Sequence, residues 1–475
     1  MNLKKIFLNS FWFGVIPKIS TVLNIILLPI ITPYLTPEDY GVWGLISSYV
    51  AIALSVYTLG LHMHLANSFY EYKSNFPKLW GRILYILLIS ALVFSVFIII
   101  FTLPLIKEFS FPVRILIGLF CAFPVLFNAN SLLANHLYTL RSQPKPLVLR
   151  NLFSTISGIF VLFISVYFFK LGYLGFVFGA AITAIISFII FIKPLWIDEK
   201  LYPRIERNST RLKHHIKQVL PVIPHALGFV LISSSSRIIL EYYEVSISDI
   251  GLFSNGYLIG DYITIITTAL VTSLVPLMQK FYRNGEYDQY RKYYYLSQGT
   301  ALFAIILFSI WMPEIYSILI RNEDLQPAYL IAQKICFANV VLPFYFFAST
   351  SPFIEKKAKN LLWLVFLPGL LNIILCYAFI PIYGYEAAIY TTIIAYWSQL
   401  MIPFLSTYFR KKIGMWLGSR VKLIALLVFF FISLIFSNFI SKTELEIKLI
   451  ISFIILIFLF YFLKNIPKIN EILNI

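Results

Sequence analysis

Four charged residues lie inside long apolar stretches of the sequence: Lys18, Arg237, Lys334 and Asp261. If these stretches cross a bilayer, burying each charge costs at least about 2.5–3.5 kcal/mol, which makes the residues candidates for function. Three cations against one acid favour an anion, and a cation in a dry site binds phosphate strongly. We therefore predict that Lys18, Arg237 and Lys334 bind substrate and that Asp261 balances charge or binds a coupling ion.

Each of these charges also has a simpler explanation. Arg237 lies close to the outer end of its stretch, and both it and Lys334 could extend their side chains to the membrane interface. Asp261 could be the salt-bridge partner of one of the cations. Lys18 is the hardest to explain in this way, because helical rise places it about 10 Å into the membrane.

Small and polar residues recur at spacings of three and four in the same stretches, which places them on one helix face. We predict that these stripes line an aqueous cavity, with the lining residues Thr21, Asn24, Ser48, Ser55, Thr58, Ser233, Tyr257, Thr264 and Thr268. The alternative is close helix packing, because small residues let membrane helices approach one another. His62 is a further candidate for substrate binding, with a hydrogen bond to a neighbouring helix as its alternative.

Membrane-spanning helices must position these residues. The chain of 475 residues is 60% hydrophobic and 12% charged, whereas about a quarter of a soluble protein is charged. Apolar runs of about 20 residues recur along it, each long enough to cross a bilayer as a helix. We predict an all-α polytopic membrane protein with about fourteen spans, near residues 11–33, 42–66, 83–105, 114–138, 147–169, 173–194, 218–240, 251–276, 294–320, 327–352, 360–382, 385–409, 421–440 and 447–463.

The Lys and Arg residues indicate which way the spans run. Most of the 38 fall in the even-numbered junctions and the two tails, and few fall in the odd-numbered junctions. Cytoplasmic loops carry such an excess, so we predict that both termini are cytoplasmic and that the odd-numbered junctions face outward. The net charge of +17 is therefore mainly a topology signal. Because the cations are scattered over short loops, it does not indicate a nucleic acid partner.

A short motif occurs twice. TPEDYGVWGL and SISDIGLFSN place Asp39 and Gly41 at one fixed offset from Asp249 and Gly251. Spans 1–6 and 7–12 also share their lengths, and an even number of spans per copy makes both copies enter the membrane from the same side. We predict two six-helix lobes related by a parallel pseudo-repeat: an N-terminal lobe at 1–197, a basic cytoplasmic linker at 198–217, a C-terminal lobe at 218–412, and two extra helices with a cytoplasmic tail at 413–475.

No arrangement of residues typical of an enzyme occurs in the sequence. It has no glycine-rich phosphate loop, no zinc-ligand spacing and no Ser-His-Asp constellation. A membrane polymerase or glycosyltransferase needs long loops with clustered Arg, His or carboxylates for acid–base work, and the outer loops here are short. We predict a transporter without catalytic residues, metal or cofactor. Coupling to a proton or sodium gradient is a candidate energy source.

Two long segments resemble a known family. TPEDYGVWGLISSYVAIALSVYTLGLHMHLANSFYEYK resembles the second-span signature of polysaccharide-export flippases of the O-antigen flippase type, and LPVIPHALGFVLISSSSRIILEYYEVSISDIGLFSNGYLIGDYI resembles their seventh and eighth spans. These flippases belong to the multidrug/oligosaccharidyl-lipid/polysaccharide exporter superfamily. The resemblance implies a family role for one residue, Arg237. The family often has Asp-Arg in span 7, and this chain has Ser236 and Arg237, so the adjacent acid is missing. The family also often has Arg late in span 2, where this chain has Asn67 and Ser68.

The resemblance implies a flippase that moves undecaprenyl-pyrophosphate-linked oligosaccharides (O-antigen, capsule or another surface polysaccharide) across the bacterial cytoplasmic (inner) membrane by alternating access. The implied partners are the polyprenyl-pyrophosphate-linked oligosaccharide and membrane lipids, with a polysaccharide polymerase and a chain-length regulator as candidates. One alternative is a drug or cation extruder of the related extrusion family, whose cavity would be more acidic. Another is a membrane polysaccharide polymerase. Fourteen spans also leave open the peptidoglycan-precursor flippases.

Overall fold

The computed structural model describes residues 16–69, 75–205, 223–355, 357–417 and 421–464, and these form helices joined by short turns. Residues 206–217 of the predicted basic linker and residues 11–15 of the predicted first span lie outside these ranges. The helices of spans 1–6 are Ile16–Ile31, Pro37–Val56 with Leu61–Ser68, Phe76–Thr102, Phe111–Leu126 with Ala129–Leu140, Pro144–Phe163, and Tyr173–Ile190. The helices of spans 7–14 are Ile223–Tyr242, Ile247–Asp261 with Thr264–Asn284, Tyr287–Ile310, Tyr329–Ala338 with Leu342–Ile354, Leu361–Tyr383, Tyr385–Trp397, Val421–Ile440 and Leu445–Lys464.

The described part of the chain has the composition of a polytopic membrane protein. Eleven of its helices are long and apolar enough to cross a bilayer, and two shorter apolar helices lie at Lys18–Tyr34 and Ile424–Ile440. Side chains such as Phe160, Phe429 and Phe453 are mostly exposed, as expected for helices whose outer faces meet lipid. The all-α polytopic class is confirmed, and the number of fourteen spans stays a prediction.

The buried apolar residues form two clusters. One contains only residues between Val42 and Leu201. The other is built mainly from residues between Ile232 and Ile440, together with a few from spans 1, 2 and 5. Two separate cores fit a bundle of two lobes, with the first helices of the chain packed against both. The domain boundaries stay a prediction.

The repeated acidic residues cap the N-terminal ends of spans 2 and 8, on the side of the bundle that the charge pattern predicts to face outward and that we call the outer side. Thr36 and Asp39 form a reciprocal capping box at the start of span 2, and the Ser246 hydroxyl accepts a hydrogen bond from the Asp249 backbone N–H at the start of span 8. Both pairs satisfy backbone N–H groups that have no partner within the first turn of a helix. Both carboxylates also interact favourably with the positive end of the helix dipole. The motif therefore fixes where each of these two helices begins.

Asp39 also ties span 2 to the next outer turn of its own lobe. Its Oδ1 accepts a hydrogen bond of 2.7 Å from the backbone N–H of Tyr173. The preceding Gly172 has φ of +56°, and a Cβ there would lie 2.1 Å from Asp39 Oδ1. Glycine is therefore required at this position both for its backbone conformation and for the close approach of the carboxylate.

The repeated glycines bring spans 2 and 8 into direct backbone contact on the outer side of the bundle. A Cβ on Gly41 would lie 2.1 Å from the Ile247 carbonyl oxygen, and a Cβ on Gly251 would lie 1.7 Å from the Pro37 carbonyl oxygen. Each glycine thus meets the other copy of the motif. The two lobes are closed against each other here because neither helix carries a side chain at the crossing.

Spans 13 and 14 dock on span 9 through polar contacts. The Ser309 hydroxyl donates to Ser437 Oγ at 3.0 Å, and Trp311 Nε1 donates to Ser452 Oγ at 2.9 Å. At the outer end, the ammonium of Lys448 forms an ion pair with Glu314. These bonds attach the two additional helices to the C-terminal lobe.

Candidate functional site

Arg237 lies just inside the contact between spans 2 and 8. Its side chain is 8% exposed in this structure. Its Nε donates to Ser254 Oγ at 3.0 Å, and its Nη1 donates to the Ser233 carbonyl at 2.9 Å. The guanidinium carbon lies 4.7 Å from the centre of the Tyr257 ring. Arg237 therefore points into the bundle, and it does not extend to the membrane interface.

The wall behind Arg237 is a buried polar cluster. Asn372 Nδ2 donates to Ser235 Oγ at 3.0 Å and to Ser236 Oγ at 3.1 Å. The thiol of Cys376 lies 3.1 Å from Thr391 Oγ1. The cluster joins span 7 to spans 11 and 12, so it fixes the rotation of span 7 and hence the direction of the next residue, Arg237. All five members are neutral at ordinary pH.

Asp261 lies where two helices break. Span 8 stops at Asp261 and resumes at Thr264, whose hydroxyl donates to the Asp261 carbonyl at 2.7 Å. Span 10 has a single 3₁₀ turn at Asn339–Val341, and Asn339 Nδ2 donates to Asp261 Oδ1 at 3.2 Å. Broken helices within a membrane are tolerated where neighbouring groups satisfy the freed backbone, and they are typical of transporter binding sites.

Lys18 connects the first span to the same region. Its Nζ donates to Thr268 Oγ1 at 3.1 Å, seven residues beyond Asp261 on span 8. Lys18 and Arg237 both donate to side chains of span 8, the span that carries Asp261, although no ion pair within 4 Å joins the three in the described ranges. The structure thus brings together three of the charged residues predicted from the sequence. We call Lys18, Arg237 and Asp261 the central charged site.

The outer side of this site is closed by contacts between the lobes. The Tyr49 hydroxyl of span 2 donates to the Glu241 carboxylate of span 7. Asn322 Nδ2, beyond span 9, donates to the Leu35 carbonyl at 2.8 Å. A Cβ on Gly44 would lie 2.2 Å from Ser254 Oγ, so the glycine leaves room for the serine that holds Arg237. These contacts hold the two lobes together on that side of the site.

The predicted cavity-lining residues differ in their surroundings. Ser48, at 1% exposed, and Thr58, at 6%, are buried between helices. Thr268 contacts Lys18, Tyr257 contacts Arg237, and Ser233 accepts from Arg237 through its carbonyl, so these three border the central charged site. Four others are partly exposed on spans 1, 2 and 8, and their cavity role stays a prediction: Thr21, Asn24, Ser55 and Thr264.

His62 and Lys334 have their described contacts elsewhere. The His62 ring stacks on His136 with centroids 5.0 Å apart, within the N-terminal lobe. Lys334 Nζ donates to Tyr390 Oη at 2.9 Å and lies over the same ring. Tyr390 is 46% exposed, so this pair lies at the perimeter of the C-terminal lobe. Substrate binding by either residue stays a prediction without support from these contacts.

A cavity of about 680 Å³ lies among spans 1, 2, 4, 5 and 6 of the N-terminal lobe. Its described lining is rich in uncharged polar side chains, including Asn128, Asn135, Asn151, Thr155, Thr183 and Ser187. We call this cavity the N-lobe chamber. The described residues contain no cluster of His, Cys, Asp and Glu that would hold a metal ion.

Several residues of these sites have no place among the sequence predictions. Asn339, Asn372 and the Asn side chains of the N-lobe chamber are single polar residues in apolar helices, and such residues usually serve helix packing. A signal for Asn339 was present, because Pro343 follows it closely and a proline ends or kinks a helix just before itself. The chamber asparagines belong to different helices, so only the fold shows that they meet.

Comparisons with known proteins agree with this geometry. A family model described as polysaccharide biosynthesis protein matches residues 6–282. The comparison with curated proteins returned no match. Similar solved structures include an inward-facing multidrug resistance transporter of the MATE family, with a TM-score of 0.63, 14% identity, and coverage of 86% of this chain and 98% of that one. An outward-facing multidrug resistance MATE transporter gives a TM-score of 0.53 at 15% identity, covering 86% and 96%.

A further similar structure is a MOP superfamily transporter from Pyrococcus furiosus that is described as having a binding pocket of reverse polarity, with a TM-score of 0.51, 13% identity, and coverage of 86% of this chain and 95% of that one. At these identities the similarity shows the fold alone, which this chain shares with these transporters. The family model covers more than half of the sequence. The chain therefore belongs to the polysaccharide biosynthesis protein family.

Proposed function

We propose that this protein is a flippase that moves undecaprenyl-pyrophosphate-linked oligosaccharides from the inner to the outer leaflet of the bacterial cytoplasmic membrane. The single observation that carries the proposal is the central charged site, where two cations and one acid lie inside an apolar bundle at the contact between the lobes. Holding such charges away from water is costly unless a ligand or partner compensates them. The family supports a substrate used in polysaccharide biosynthesis.

The site suits a pyrophosphate better than a cation. Lys18 and Arg237 supply positive charge, and a guanidinium binds phosphate oxygens through two parallel hydrogen bonds. Asp261 offsets part of this charge, which allows release after transport. With the outer side closed, the anion enters from the cytoplasmic side, where most of the chain's cations are predicted to lie.

The proposed transport step is a movement of the two lobes against each other. Spans 2 and 8 separate at the glycine crossing while the inner ends of the lobes approach, so the central charged site changes the side that it faces. The lipid tail stays in the bilayer, because the exposed helix faces are apolar. No bond is made or broken, and the protein acts as a transporter.

Replacement of the two cations tests the proposal. Lys18→Ala and Arg237→Ala should abolish surface polysaccharide in a strain that depends on this protein, at unchanged protein abundance in the membrane. Lys334→Ala removes a cation whose described contact is with Tyr390 at the perimeter of the lobe, so this contact predicts that most activity is retained, whereas the prediction from the sequence is a loss of activity. Polysaccharide at the wild-type level in both Lys18→Ala and Arg237→Ala would remove the central charged site from the mechanism.

A second candidate is extrusion of cationic drugs. It is favoured by the MATE-like fold and by Asp261, a half-buried carboxylate inside the bundle that a cation could bind. In that case Asp261→Asn should sensitise cells to cationic dyes, and Lys18→Ala should not. The positive balance of the site favours the flippase.

A further inference from the structure

The N-lobe chamber has a chemistry that the central charged site does not. None of its described lining residues carries a charge. Several of its amide and hydroxyl groups already donate to carbonyl oxygens of their own helices, but a lipid tail would offer no donor to the acceptor lone pairs that remain. An anion would find no cation, and a cationic drug would find no acid. The chamber is therefore suited to a neutral, strongly hydrogen-bonding ligand.

The lining side chains offer both donors and acceptors. The hydroxyls of Thr155 and Thr183 donate to carbonyls of their own helices, at 2.9 Å to Asn151 and 2.9 Å to Gly179. This leaves the oxygen lone pairs of both threonines available as acceptors. Asn151 Nδ2 lies 3.3 Å from Asn135 Oδ1, so two amides are held side by side on spans 4 and 5. Asn135 Nδ2 uses one N–H on the Ser131 carbonyl, and Asn151 Nδ2 uses one on Asn135, so each amide keeps a second N–H and an acceptor lone pair for the hydroxyls of a diol.

The volume of the N-lobe chamber and its mixture of polar and apolar lining also suit a sugar. A cavity of 680 Å³ lies within the range of about 300–1,000 Å³ for small-molecule sites. Phe127 and Leu54 contribute apolar surface beside the polar groups. Sugar rings have the same mixture, with hydroxyls around the edge and C–H groups on the faces.

Span 1 links the chamber to the central charged site. Ser20 lines the chamber, whereas Lys18, two residues earlier, contacts Thr268 of the other lobe. Residues two apart on a helix point about 200° away from each other. The inner half of span 1 therefore forms a wall of both sites, and one ligand with a charged part and a neutral part can occupy both.

We propose that the N-lobe chamber binds the neutral sugar units of the lipid-linked oligosaccharide while the central charged site binds its pyrophosphate. This inference rests on the proposed function and adds the location of the glycan. It assigns specificity for glycosylated over bare lipid to residues of spans 4–6, and it assigns affinity for the anion to Lys18 and Arg237.

Binding of two synthetic lipids to the full-length protein in nanodiscs tests the inference. One is bare polyprenyl diphosphate, and the other carries a short neutral oligosaccharide. The wild type should bind the glycosylated lipid more tightly. Asn151→Leu and Asn135→Leu should each weaken binding of the glycosylated lipid by roughly three- to tenfold, the effect of losing a neutral hydrogen bond or two. Neither should change binding of the bare lipid.

Conservative variants protect the test against loss of folding. Thr155→Val removes one chamber hydroxyl with little change in shape, and it should weaken binding of the glycosylated lipid only. Thr267→Val removes a buried hydroxyl that donates to the Ile263 carbonyl outside the chamber, and it should change neither affinity. Arg237→Gln should weaken binding of both lipids.

The outcomes separate the two proposals. If the wild type binds both lipids equally, or if all the chamber variants bind the glycosylated lipid as the wild type does, the inference is overturned and the flippase proposal stands. An equal loss of affinity for both lipids in Thr155→Val also overturns the inference, because the role of that residue is then structural. If the wild type binds neither lipid, the proposed function and the inference fail together.

Discussion

At the scale of single residues, Arg237 is the best-defined component of the central charged site. Its two described hydrogen bonds, to Ser254 and Ser233, use two of the five N–H groups of a guanidinium. The Tyr257 and Phe253 rings beneath it hold the plane of the side chain. The arrangement depends on the planar fork of arginine, which the point charge of lysine does not reproduce.

Substitutions of Arg237 should therefore be graded. Arg237→Gln should lower the affinity for polyprenyl diphosphate by roughly ten- to hundredfold, because hydrogen bonds to a charged group are worth about 1.5–3 kcal/mol. Arg237→Lys should be intermediate, because it keeps the charge and loses the fork. Isothermal titration measures both. Arg150→Lys, at a position whose guanidinium donates to Tyr138, is the matched control and should bind normally. Equal affinity of the Lys variant and the wild type would rule out recognition by the fork.

Asp261 should have the opposite effect on binding. Asp261→Asn keeps the size of the side chain and its contact with Asn339 but removes the negative charge, so the two cations act on the anion without compensation. We expect tighter binding of polyprenyl diphosphate together with slower transport, because release becomes limiting. Parallel measurements of affinity and of flux in vesicles check this. Weaker binding in Asp261→Asn would contradict charge balance and would point to a direct role of the carboxylate in binding.

At the scale of elements, the repeated glycines act as a closing surface between the lobes. Gly251→Ala should destabilise the closed contact between spans 2 and 8, because the added Cβ would lie 1.7 Å from the backbone oxygen of Pro37. The outer ends of spans 2 and 8 should then move apart. Spin labels on the outer ends of the two spans would report a longer distance by electron–electron resonance.

Gly118→Ala provides the control for this prediction. A Cβ there would meet Thr102 Oγ1 at 3.2 Å within one lobe, a contact that a small side-chain movement relieves. The label distance should match that of the wild type. An unchanged distance in Gly251→Ala would mean that the crossing tolerates a side chain and does not define the closed state.

The sequence was a good guide to the elements and a weaker guide to their details. Runs of apolar residues predicted the helical spans, because hydropathy depends on composition alone. Span 8 was predicted as one continuous helix, but it is broken after Asp261, because the Asp261 carbonyl is satisfied by the Thr264 hydroxyl instead of by a regular helix bond. Such local exchanges of hydrogen-bond partners leave no clear trace in composition.

The faces of the helices were predictable only in part. Lys18, Arg237 and Asp261 were predicted to share a site, and the fold brings them together. Lys334 was grouped with them because of its charge, but its ammonium packs on Tyr390 at the perimeter. The direction in which a charge points depends on helix rotation, which is set by distant contacts such as those of Asn372.

At the scale of the whole molecule, an ion pair ties the helices of each lobe on the inner side. Arg141 forms a two-pronged pair with Glu199 in the N-terminal lobe, at 2.5 and 3.0 Å, and its hydrogen bonds hold the pKa of Glu199 below its usual range. In the C-terminal lobe Glu355 accepts from Lys412 and Tyr408. Burial raises the pKa of Glu355, but hydrogen bonds, led by that from Lys412, outweigh it and lower the pKa to about 2.

Stability should depend on Glu355 in a defined pH range. Because its folded-state pKa is lowered, its contribution is present above the ordinary value of 4.5 and is lost as the pH falls towards about 2. Glu355→Gln should therefore melt at a lower temperature than the wild type at neutral pH, and the difference should shrink as the medium is acidified below 4.5. Melting curves in detergent measure this. Glu286→Gln, at an exposed residue of the same side, should melt like the wild type. A pH-independent difference for Glu355→Gln would show that the lost packing, and not the charge, is responsible.

The most direct test of the account is a leaflet assay with purified protein in vesicles that contain a fluorescent polyprenyl-diphosphate-linked oligosaccharide. We predict that the wild type makes the inner-leaflet lipid accessible to an external glycan-modifying reagent, and that Lys18→Ala and Arg237→Gln do so at least roughly tenfold more slowly. Wild-type vesicles that expose no additional lipid, or that instead accumulate a cationic dye in an Asp261-dependent manner, would contradict it.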